Sequence, residues 1–136
     1  MEAFDLETGY WPVVVFRGRR SHSDEELGAS LSAFRALVIE RPEPYCVVLD
    51  LRQVRQTPPS QRAQIQQRMR DPMTKAQCRG AAMVFSSASL KMLLNTVLCF
   101  QKPDYPTRVF TDYFEALTWA YQQVGRTEPP VEVLGA

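Results

Sequence analysis

The sequence predicts an α/β domain: a mixed sheet of four or five strands with about four helices, in the order β-β-α-β-α-β-α-β-α. Three observations predict it. Short apolar or β-branched runs alternate with stretches whose apolar residues recur at helical spacing. Proline or glycine punctuates most junctions between them. The clearest strand, Cys46–Leu51, is apolar on both faces, as the centre of a covered, largely parallel sheet requires.

Taken in order, Phe4–Glu7 alternates apolar and polar residues, Gly9-Tyr10 reads as a turn, and Pro12–Arg17 is a β-branched run closed by Gly18. The two runs predict an antiparallel hairpin. Ser23 with Glu26 three residues later forms a capping-box pattern, and Leu27, Leu31, Phe34, Leu37 and Val38 follow at helical spacing until Pro42 and Pro44 stop the helix. After the central strand, Thr57-Pro-Pro-Ser60 starts a second helix with Ile65, Met69, Met73 and Ala76 behind it, and Pro72 ends or kinks it. Gly80–Phe85 is a further buried strand. Ser86–Ser89 caps a helix carrying Leu90, Leu93, Leu94, Val97 and Leu98. Thr107–Phe110 is a short strand, Asp112 caps the last helix, and Gly125 ends it.

Composition narrows the function classes. The chain has 136 residues, 45% hydrophobic and 23% charged, which suits one globular domain. The formal net charge is +1, so no global charge argues for nucleic acid or membrane. No run reaches the roughly 18–20 apolar residues of a membrane span, and the acidic start Met1-Glu2-Ala3-Phe4-Asp5 does not resemble a secretory leader, so a cytoplasmic protein is expected. Three cysteines without a CxxC pair, and a single histidine, argue against a disulfide framework and a conventional zinc site. No Walker loop, GxGxxG or GxSxG occurs, so neither a cofactor nor an enzymatic activity is expected.

The pattern resembles the STAS-type domain of bacterial anti-sigma-factor antagonists, within the STAS/SEC14-like group. Three features carry the resemblance over about residues 3–124: the element order, the strand Val47-Val-Leu-Asp-Leu51, and the segment Tyr105-Pro-Thr-Arg-Val-Phe-Thr-Asp-Tyr-Phe-Glu-Ala-Leu117. It implies a STAS-like domain over residues 1–124 with a tail over 125–136, acting as a non-enzymatic regulatory or protein-interaction module. It also implies a phosphoacceptor serine at the start of the helix after the central strand, a position that falls on Ser60. Pro58 and Pro59 stand where the family usually carries an Asp-Ser pair, and we expect Ser60 to serve the first helical turn instead.

Six further candidates come from the residues themselves. Asp50, near the carboxyl end of the central strand, is either a ligand-binding carboxylate or an anchor for the following loop. Ser60 is either a phosphoacceptor or a capping residue. Residues 52–79 carry seven basic residues against Asp71 alone, a net +6, whereas residues 1–51 net −4 and residues 80–136 net −1. Arg62, Gln66 and Arg70 share a helix face, with Arg68 nearby and Arg55 upstream. That stripe is either a solvated helix face or a dock for an acidic protein partner or anionic lipid. Nucleic acid ranks last, because the segment has no aromatic residue. Leu90–Phe100 is apolar round most of its circumference, with Met92 the candidate for contact with a partner or a second copy. His22 reads as an ordinary loop residue, and the serines at 86–89 as helix caps. The competing class is a small-ligand or lipid-binding domain with a pocket between the hairpin and the Leu90–Phe100 helix.

Overall fold

Each strand of the sheet pairs with its neighbour in chain order. In a computed structural model that describes residues 4–19, 23–53, 59–86 and 105–125, the sheet runs β1 (Phe4–Glu7), β2 (Val13–Gly18), β3 (Tyr45–Asp50), β4 (Cys78–Val84), β5 (Thr107–Phe110). β1 and β2 are antiparallel and every later pair is parallel. The mixed five-stranded sheet is the one the alternation predicts. Strand boundaries differ from the expected ones by a residue or two, as hydrogen-bonded ends usually do.

The sheet is covered on two faces. Val13, Val15, Cys46, Val48, Ala82 and Val84 point to one side, where α4 (Tyr113–Gln123) lays Ala116, Leu117, Ala120 and Tyr121. Val14, Phe16, Tyr45, Val47 and Cys78 point to the other, beneath Leu27, Leu31, Phe34 and Val38 of α1 (Asp24–Glu40). Phe16, Phe34 and Tyr45 meet there edge to face, with ring centroids 5.1 and 5.7 Å apart. A third buried group on the sheet joins Met83, Phe85 and Val109 to Leu49 and Leu51. Full burial of one such aliphatic side chain is worth roughly 1.5–3 kcal/mol.

Local chemistry sets the helix ends. Ser23 and Glu26 form the reciprocal capping box, and Asp24, Glu25 and Glu26 place three acids at the positive end of the α1 dipole. Asp112 accepts from the amides of Phe114 and Glu115 at the start of α4. Gly125 follows that helix with φ +80°, a left-handed conformation that a side chain would resist.

α2 (Pro59–Arg70) stops before Pro72, and a separate turn, α3 (Pro72–Lys75), begins there. Proline has no amide to continue the first helix, and Asp71 caps the second by accepting from Met73 N at 3.1 Å. The break turns Met73 to solvent at 53% exposure, so the apolar row expected through Ala76 does not hold together. The Leu90–Phe100 helix with Met92, the serines at 87–89, Arg55, His22 and Cys99 lie outside the described residues.

Gly80 in β4 lies where α4 packs close to the sheet. A Cβ there would stand 3.0 Å from Trp119 Cη2 and 3.3 Å from both Gln123 Cγ and the Pro106 carbonyl. Gly80→Ala is expected to lower stability by about 1–2 kcal/mol through overpacking, read as a lower urea midpoint with unchanged slope.

Candidate functional site

The strand register creates a charged cluster at the carboxyl edge of the sheet. In the parallel β2–β3 pair Arg17 stands beside Asp50. Alternation along each strand puts both on the face of Val13, Val15, Cys46 and Val48, the face that α4 covers. The first residue of α4 is Tyr113, so its ring arrives at the same corner.

Asp50 is the centre of the cluster, its side chain only 4% exposed. One oxygen accepts from the Arg52 backbone amide at 3.2 Å and from Arg52 Nε at 2.8 Å. The other accepts from Arg52 Nη2 at 2.8 Å and lies 3.4 Å from Arg17 Nε, an ionic contact without hydrogen-bond alignment. Arg17 also donates to Glu7 Oε1 at 2.6 Å and to the Tyr113 hydroxyl at 2.9 Å. Both guanidinium groups lie against the Tyr113 ring, 5.3 and 4.9 Å from its centroid.

The electrostatics follow from burial and pairing. Burial alone would raise the Asp50 carboxyl, but the hydrogen bonds and charge of Arg52, aided by Arg17, outweigh it and hold the group below the ordinary carboxylate range. Burial would lower Arg17, and the neighbouring Tyr113, Glu7 and Asp50 raise it instead. Arg52 is raised by its hydrogen bond to Asp50. Burial pushes the Tyr113 hydroxyl up, against the pull of Arg17. Asp50 is thus an ionised anchor with both oxygens engaged, and its grip on the Arg52 amide fixes the first turn after β3.

A second surface lies along α2. Arg62 and Arg70 are exposed and have no acidic partner among the described residues. Arg68 differs from them. It is half-buried, and its Nη1 stands 3.5 Å from Asp71 Oδ2, the oxygen that accepts from Arg35 Nε at 2.8 Å. The Arg35 hydrogen bond is the main reason the Asp71 carboxyl is lowered, with the Met73 amide and Thr74 hydroxyl adding to it. Ser60 is exposed in the first turn of α2, and its hydroxyl donates to Asp24 Oδ1 at 3.2 Å, joining the start of α2 to the start of α1.

The structure therefore separates the candidates. Asp50 belongs to the carboxyl-edge cluster, Arg62 and Arg70 to the open face of α2, and Arg68 to an ion-pair network. Sequence reasoning missed Arg17, Glu7, Tyr113 and Arg35. Arg17 carried a usable signal: it shares strand parity with Val13 and Val15, so an inward-facing cation at a strand end implied a buried acid beside it. Among the described residues no cluster of histidine, cysteine and carboxylate groups suits a metal ion, and no helix is long and apolar enough to cross a membrane.

The element order and sheet topology define an α/β fold of the STAS-like kind, and comparison with solved structures agrees. An uncharacterized protein of the DUF3478 family with a SpoIIAA-like fold, from Shewanella loihica, aligns with a TM-score of 0.66 over 87% of this chain and 92% of its own, at 11% identity. At that identity the likeness shows the fold alone. The family model described as domain of unknown function DUF7793 matches residues 31–123, and the chain belongs to that family. No curated protein matches.

Two outcomes are expected here. Because folding lowers the Asp50 pKa, its stabilisation is present at neutral pH and is lost as the pH falls through the carboxylate range, below about 4. Asp50→Asn should cost about 2–4 kcal/mol at pH 7 and flatten the acid limb of stability against pH, as measured by urea titration across pH. Ser60→Asp would set a second carboxylate beside Asp24 and should lower the melting temperature by a few degrees, about 0.5–1 kcal/mol, while intact-mass analysis of protein from its native host should find no stoichiometric phosphate on Ser60.

Proposed function

We propose that this chain is a non-enzymatic regulatory module that docks an acidic protein surface through the basic face of α2. One observation carries the reading. Arg17, Arg35, Arg52 and Arg68 each have a carboxylate within the fold, whereas Arg62 and Arg70 have none among the described residues. Two turns of helix separate this pair, about 12 Å, so both can meet one acidic partner surface. Arginine suits that role, because a guanidinium sheds water readily and binds carboxylates in a forked geometry.

The character of the carboxyl-edge cluster supports the same class. Asp50 has both oxygens engaged, and burial moves the Tyr113 hydroxyl further from ionising. Neither is set up as a free base or nucleophile. The STAS-like fold supports a regulatory role as an expectation, and its SpoIIAA-like neighbour is itself uncharacterized. A lipid-binding role would use the same basic residues against anionic headgroups.

Arg62→Glu with Arg70→Glu should weaken capture of the partner at least about tenfold in a pull-down with the full chain, and wild-type binding should fall as salt is raised, because exposed charges are screened over about 8–10 Å. The thermal midpoint should move little, since both side chains are exposed. Undiminished partner binding by the double variant would reject the docking face.

A further inference from the structure

We infer that the open groove between α1 and α2 seats an amphipathic, acidic segment of a protein partner, with its apolar side on Ile39 and its carboxylates on Arg35 and Arg68. Resting on the acidic-partner reading of α2, this names where the partner's apolar residues go. The groove has a volume of about 620 Å³ and is lined by Ser32, Arg35, Ala36, Ile39, Glu40 and Arg68.

Helical geometry explains its position. α1 turns Leu27, Leu31, Phe34 and Val38 to the sheet. Ser32, Ala36, Ile39 and Glu40 recur at intervals of four, three and one on the far side, so they form a second, outward stripe. Ile39 in that stripe is 44% exposed, one of three large apolar side chains so exposed among the described residues. α1 needs only the inner stripe to cover the sheet, which leaves Ala36 and Ile39 as the apolar floor of an otherwise polar groove.

Charge selects the occupant. Arg35 and Arg68 converge on a single Asp71 oxygen, so two cations share one carboxylate. Arg35 engages it through Nε, and its two Nη groups hold no other carboxylate among the described residues. An incoming carboxylate can take those donors in the forked arrangement that guanidinium groups favour. Glu40 lies at the opposite end of the stripe and repels acids there, which fixes the orientation: carboxylates at Arg35 and Arg68, apolar side chain at Ile39. A phosphodiester chain carries no apolar anchor for that floor, and a flat bilayer surface does not enter a groove. Both features together fit a peptide.

The test uses the full chain and two fluorescent probes read by anisotropy: a helical peptide of Leu and Glu, about 16 residues long with Leu at three- and four-residue spacing, and a polyglutamate of equal charge. The Leu–Glu peptide should bind at least about tenfold more tightly than polyglutamate. Ile39→Gln should erase that advantage, and Ile39→Leu should preserve it. Both variants change an exposed position and should match the wild type by circular dichroism. If the two probes bind alike and ignore Ile39→Gln, yet both weaken in the Arg62→Glu, Arg70→Glu variant, the groove assignment falls and the basic docking face stands. If neither probe binds the wild type, both fall. Ile39-dependent binding to phosphatidylserine vesicles in preference to the Leu–Glu peptide would replace the peptide with a membrane. Ile39-dependent dimerisation in sedimentation would replace it with a second copy.

Discussion

Strands β2, β3 and β4 offer no polar face to water, and much of the molecule follows from that constraint. Val13 to Val15 and Val48 are wholly buried, as are Ala82 and Val84, so the sheet has to be covered twice. α1 takes one face and α4 the other. Gly80 lets α4 pack close, since a Cβ there would crowd Trp119 and Gln123 at 3.0 and 3.3 Å. α2 is left to rest on α1, joined by the Ser60–Asp24 hydrogen bond and by Gln64 Nε2, which donates to the Asp24 carbonyl. A helix without a duty to the sheet is free to be polar, and this one carries Arg62, Arg68 and Arg70. Its polar character follows from layer order.

The same burial dictates the chemistry at the carboxyl edge. Placing Asp50 on a covered face obliges the fold to surround it with cations and amides, since an unpaired buried carboxylate would cost several kcal/mol. Arg17 comes from the neighbouring strand, Arg52 from the turn that follows, and Tyr113 stacks beneath both guanidinium groups. Glu7 then balances Arg17 from the hairpin's first strand. The corner therefore couples β1, β2, β3 and α4 through Arg17, which meets Glu7, Asp50 and Tyr113.

Much of this fold was legible in the sequence because its signals are local. The capping box at Ser23, the Asp112 cap, the β-branched run at Val13 and the two-faced apolar strand at Cys46 each act within a few residues. The Asp50 cluster was legible only in part. Its acid stood out as a break in an apolar run, but its partners lie 33 residues before and 63 residues after it, as the residue numbers of Arg17 and Tyr113 show, and their meeting depends on strand register. Arg68 read as one more cation of a stripe, because its pairing with Asp71 and Arg35 needs the α2–α3 break and the approach of α1. Charge counting along a chain sees the total and not which charges find each other.

The two borders of the sheet carry a consequence for assembly. Among the described residues β1 and β5 are the outer strands, and each is only four residues long. Pro106 precedes β5 and offers no amide for another strand to bind, and Arg108 lies exposed in that outer strand. Two short borders, one of them charged and preceded by proline, give an added strand few ladder bonds. The same brevity disfavours edge-to-edge stacking of one such sheet on another.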